Sequence, residues 1–76
     1  MSKLPALKSK KVLKILLNLG FYIYHQRGSH IQLRHCQKRH LRITIPFHIR
    51  FDLPASVVNN ILKQAEIPKD EFLKLL

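Results

Sequence analysis

The chain has 76 residues, 46% of them hydrophobic, with 14 Lys or Arg against four Asp or Glu and a formal net charge of +10. That length holds one small core, so a single domain spanning 1–76 is expected, and the apolar share without Gly, Ser or Pro runs excludes a disordered basic tail. Apolar stretches are short and broken by Lys or Arg, which argues against a membrane span or secretory signal and makes a cytoplasmic protein the expectation.

In chain order, the first helix is expected from Ser9 to Leu19, with Ser9 as N-cap and Gly20 in the left-handed stop position. Val12, Ile15, Leu16 and Leu19 form its apolar stripe, Leu13 and Leu17 widen it, and Lys11, Lys14 and Asn18 face water. Phe21 to Gln26 is aromatic and β-branched and reads as a strand, and Gly28 supplies the turn into the next. Ser29 to His35 alternates, placing Ile31 and Leu33 on one side and His30, Gln32 and Arg34 on the other.

Cys36 to Arg39 is a polar connection. Leu41, Ile43 and Ile45 then alternate with His40, Arg42 and Thr44 as a third strand, which Pro46 ends. Pro54 suits the first turn of a second helix reaching Ala65, with Val58, Ile61, Leu62 and Ala65 buried. Pro68 opens a short terminal helix with Asp70 and Glu71 in its first turn and Phe72, Leu73 and Leu76 available for packing. The expected order is α-β-β-β-α-α: an α+β fold in which a three-stranded antiparallel sheet carries helices on one face. Its other face would display His30, Gln32, Arg34, His40, Arg42 and Thr44.

Charge is distributed unevenly along this order. Residues 1–51 hold 11 Lys or Arg and no acid, while residues 52–76 hold three Lys and all four acids. A one-sided cationic surface suits a polyanion, since each neutralised phosphate releases counterions and steers approach. Nucleic acid fits better than a membrane surface, which would want the cations opposite a bulky apolar helix face. Without carboxylates the first 51 residues cannot assemble an oxygen-rich magnesium site.

Cys36 is the sole cysteine, so no internal disulfide forms and a cysteine-based zinc site lacks its second thiolate. The histidines at 25, 30, 35, 40 and 48 recur every five residues or more, an odd step along a strand that sends His30 and His35 to opposite faces. His30 and His40 could share a face, but two imidazoles make a poor metal site.

His30 is the candidate reagent, because imidazole exchanges protons near neutral pH and can serve a ribose hydroxyl or a leaving oxygen. Arg27, Arg34 or Arg42 nearby would stabilise charge on a reacting phosphate. In such RNA cleavage the ribose 2′-hydroxyl is the nucleophile, so neither a metal nor a covalent enzyme nucleophile is required. Tyr22 and Tyr24 offer either base-stacking surfaces or ordinary sheet packing, of which packing is the favoured reading. Ser29 either contacts phosphate or satisfies the turn backbone, the second being favoured.

Three stretches carry a family resemblance: Lys11-Val12-Leu13-Lys14-Ile15-Leu16 leading to Leu19-Gly20-Phe21; Gln26-Arg27-Gly28-Ser29-His30; and Ile61-Leu62-Lys63-Gln64-Ala65-Glu66-Ile67. Together they resemble the HicA family, the ribonuclease halves of HicA–HicB toxin–antitoxin pairs. The resemblance implies a double-stranded-RNA-binding-like fold, metal-independent cleavage of mRNA without a cofactor, His30 as the catalytic histidine, and a HicB-like antitoxin that blocks the site. Arg27, Gly28, Ser29, Arg34, Lys38, Arg39 and Arg42 are the candidate RNA-binding residues. Two departures stand out: Ile31 occupies a position where many members carry a second histidine, and the 47–51 loop is more apolar and aromatic than the family's polar connection. A non-catalytic double-stranded-RNA-binding module is the alternative. A DNA reader built on Pro54 to Leu76, with Asn59, Asn60, Lys63 and Gln64, is disfavoured by that segment's near-neutral charge.

Overall fold

A computed structural model describes residues 4–47 and 51–76. Its elements are β1 (Leu7–Lys8), α1 (Ser9–Asn18), β2 (Phe21–Arg27), β3 (His30–His35), β4 (Arg42–Pro46), β5 (Asp52–Leu53), α2 (Ala55–Ala65) and α3 (Lys69–Lys74). β2, β3 and β4 form an antiparallel sheet in the order β2-β3-β4. The architecture is therefore α+β, with α1 and α2 packed against that sheet and α3 against α2.

The core forms where the apolar periods of helix and strand meet. Val12, Ile15 and Leu16 of α1 and Val58, Ile61, Leu62 and Ala65 of α2 are buried over Ile31, Leu33, Ile43 and Ile45 of the sheet. Phe72 is fully buried and anchors the six-residue α3, whose first turn carries Asp70 and Glu71 as its macrodipole favours. The molecule measures 32 × 29 × 17 Å, a thickness that accommodates one helix layer on one sheet. Among the described residues no element covers the second face of the sheet.

Several local expectations change. Lys8, not Ser9, is the N-cap of α1; Ser9 is its first residue, only 1% exposed, and its hydroxyl donates to the Pro46 carbonyl at 3.1 Å. A serine next to a helix start suits a cap, but here a long-range acceptor claims the hydroxyl. α1 ends at Asn18, and Leu19 lies half out of the core as its C-cap. Leu17 is exposed, and so is Leu76 beyond α3.

The strand expected from Ser29 begins at His30, because Gly28 and Ser29 form the turn, and β4 begins at Arg42 rather than at His40. Pro54 and Pro68 sit at N-cap positions, one step before their helices, where an extended ψ suits a residue with no N–H to donate. The two-residue β1 and β5 pair antiparallel, Leu7 opposite Leu53 and Lys8 opposite Asp52, and tie the entry of α1 to the entry of α2. Segments that short have no period to read.

Candidate nucleic-acid interface

The uncovered sheet face is built by strand register. Residues directly opposite one another across an antiparallel pair project to the same side, with Cβ atoms roughly 5 Å apart. Arg27 and Pro46 flank His30, Gln32 stands between His25 and Thr44, and Arg34 stands between Tyr22 and Arg42. Since Ile31 and Leu33 are buried, these three rows lie on the open side.

A bulge at Tyr24 makes this arrangement possible. Ile23 pairs with Leu33 and His25 with the next residue, Gln32, so Tyr24 is an extra residue in β2. Below the bulge the even position Tyr22 faces outward; above it the odd positions His25 and Arg27 do. Regular alternation would have sent Gln26 to this face and turned Arg27 away from His30. Tyr24 also lies on the open side, with the Arg34 guanidinium carbon 3.9 Å from its ring centroid.

His30 is held firmly at its backbone and left free at its ring. Gly28, at φ +58, enters the two-residue turn with the positive φ that a type II′ hairpin asks of its first central residue. The Ser29 carbonyl accepts a hydrogen bond from the Phe47 N–H, and Ser9 holds the Pro46 carbonyl, so turn, β4 and α1 converge at this end of the sheet. The His30 side chain is exposed, with no ring-nitrogen partner among the described residues.

The other expected residues divide. Arg27, Arg34 and Arg42 share the face with His30, and Arg39 borders a hollow of about 300 Å³ at its far end, which it lines with Tyr22, Arg34, His35 and Cys36. Lys38 does not join them: it lines a separate groove beside Leu41, Glu66 and Glu71 on the helix side. His40 leaves the face as well, since its Nε2 lies 3.3 Å from Glu66 Oε2 at the end of α2. Its parity with Arg42 placed it outward, but it precedes the strand and no ladder holds it there.

His35 has a structural role. Its Nε2–H donates to the Leu19 carbonyl at 3.0 Å, and its Nδ1 accepts from the backbone N–H groups of Gln37 and Lys38 at 3.1 and 3.0 Å. These partners select the neutral Nε2–H tautomer. The ring also meets Phe21 edge-on at 4.8 Å between centroids. It thereby orders the connection that carries Arg39.

Electrostatically the open face is unbalanced. Of the four acids, Asp52 pairs with Lys8 at 3.3 Å, Glu66 meets His40, and Asp70 and Glu71 lie in α3. Among the described residues no carboxylate pairs with Arg27, Arg34, Arg39 or Arg42. The described residues also contain no group of three or more His, Cys, Asp or Glu placed to hold a metal ion. Their helices include none long and apolar enough to cross a membrane. His48 and the centre of the 47–51 loop lie outside the described residues.

Sequence reasoning missed His25 and the outward position of both tyrosines: Tyr22 is 45% and Tyr24 55% exposed, against the packing reading. The bulge leaves no signature in the run Phe21-Tyr22-Ile23-Tyr24-His25-Gln26-Arg27. The DNA reading loses a candidate contact, because Gln64 Oε1 accepts the Thr44 N–H at 3.0 Å and is engaged on the edge of β4.

Residues 9–67 match the family described as HicA toxin of bacterial toxin–antitoxin systems. No curated protein matches the chain.

Proposed function

Because the chain belongs to the HicA toxin family of bacterial toxin–antitoxin systems, with the antitoxin partner such a system entails, we propose that it acts as a metal-independent endoribonuclease on mRNA. The observation that carries this reading is His30, exposed, without a hydrogen-bond partner for its ring among the described residues, and facing Arg27 across the hairpin on a sheet surface lined by cations.

In the proposed reaction the ribose 2′-oxygen bonds to phosphorus and the bond from phosphorus to the 5′-oxygen breaks. His30 accepts the proton of the 2′-hydroxyl, and that proton is returned to the departing 5′-oxygen, leaving a 2′,3′-cyclic phosphate. Arg27, one residue pair away, stabilises the charge that builds on the non-bridging oxygens. Arg34, Arg39 and Arg42 hold phosphates further along the strand, while Gly28 and Ser29 supply the rigid turn that presents the ring. A HicB-like antitoxin would act by covering this face.

His30→Ala tests the reading directly. The cleavage rate of labelled RNA should fall by about 10²–10⁴-fold, the usual contribution of a positioned acid or base. Growth arrest should disappear with it, while the thermal midpoint stays put because the side chain is exposed. Cleavage by the parent protein should survive a chelator. Undiminished cleavage by His30→Ala would remove this residue from the chemistry. Binding without product by the parent protein, free of antitoxin, would favour the non-catalytic RNA-binding module.

A further inference from the structure

The region four residues along β3 from His30 has properties that the cleavage step does not use. Arg34 and Arg42 stand directly opposite each other across β3 and β4, an arrangement that repels unless an anion lies between them. The Arg34 guanidinium also covers the Tyr24 ring at 3.9 Å, yet Tyr24 as a residue stays 55% exposed. A hollow of about 180 Å³ opens among Tyr24, Gln32, Arg34, Arg42 and Thr44.

An exposed aromatic ring costs hydration free energy, and two facing cations cost repulsion, so the patch is poorly satisfied as a bare surface. One ligand type resolves both penalties: a planar base against the free side of the ring and a phosphate against the arginine pair. Stacking of this kind contributes to single-strand binding and tolerates any base, because every base has a π-face. A duplex keeps its bases stacked inside the helix and cannot offer one to a flat sheet.

We propose that Tyr24, Arg34 and Arg42 form a nucleotide subsite that receives one unstacked base and its adjoining phosphate. Arg34 lies four steps along the strand from His30, about 13 Å, which places the subsite roughly two extended nucleotides from the bond that His30 acts on. The subsite deepens the ribonuclease reading and rests on it for that spacing alone. The Tyr24 bulge then has a purpose beyond reorienting His25 and Arg27, since it lifts one ring out of the regular ladder onto the charged face.

The test uses the full chain carrying His30→Ala, so that bound RNA is not consumed, with a fluorescein-labelled, unstructured oligoribonucleotide at one fixed salt concentration. Adding Tyr24→Ala should weaken binding about tenfold, and Tyr24→Phe, which keeps the ring, should recover the affinity lost to alanine. Arg34→Lys keeps the charge but not the planar group over the ring and should weaken binding less than Tyr24→Ala. A duplex of the same sequence should bind less tightly than the single strand. Equal affinities for Tyr24→Ala and its parent, no recovery with Tyr24→Phe, or a duplex bound as tightly as the single strand would overturn the proposal. Denaturation midpoints of each variant verify that it is folded. Failure of the ribonuclease reading would register elsewhere, in the cleavage assay, and would leave these affinities interpretable.

Discussion

Gly20 and Gly28 both have positive φ, but their surroundings differ. At Gly20, φ +100, an added Cβ would stand 2.9 Å from His35 Nε2 and 3.3 Å from Cys36 Sγ, whereas at Gly28 it would meet nothing within 4 Å. His35 cannot yield easily, because three hydrogen bonds fix its ring. Gly20→Ala should therefore cost more than the ~1–2 kcal/mol of a left-handed alanine, and Gly28→Ala about that amount alone. Urea denaturation of the two variants measures the difference; equal midpoints would mean that the His35 network is loose. At this scale His30 was legible, because alternation with buried Ile31 and Leu33 determines its side. His40 was not, since its orientation depends on Glu66, 26 residues away.

The helices could be read from their stripes because burial on one side imposes a 3.6-residue period, and Val58, Ile61, Leu62 and Ala65 follow it. The three strands were legible as strands. Their boundaries moved by one or two residues where turns compete with pairing. α3 shows how little an element's own length has to contribute: six residues are far too few for an independent helix, so its docking depends on side chains such as the fully buried Phe72. Phe72→Ala should cost about 3–5 kcal/mol, a large share of the stability of so small a domain. Calorimetry or denaturant titration would show the loss, and a change below about 1 kcal/mol would mean that the site collapses around the vacancy.

Across the whole molecule, the acids keep to one side of the sheet. The open side carries Arg27, Arg34 and Arg42 without a carboxylate, whereas on the helix side Glu66, Asp70 and Glu71 are interspersed with the lysines of α1, α2 and α3. That separation was already present in the sequence as an acid-free run of 51 residues, although the bulge that aligns the cations was not. For His30→Ala protein on single-stranded RNA, each neutralised phosphate should contribute a slope of about −0.7 to log K against log salt. Arg42→Gln should make that slope shallower by about 0.7, and an unaltered slope would exclude Arg42 from phosphate contact. The kink at Tyr24 has one more consequence, for assembly. It spoils the outer rim of β2 as a template for another strand, just as Gln64 occupies the Thr44 N–H on the outer rim of β4. With both rims blunted, an antitoxin would gain little by lengthening this sheet; one that covers the proposed site would lie across the open face and compete there with the RNA proposed to bind it.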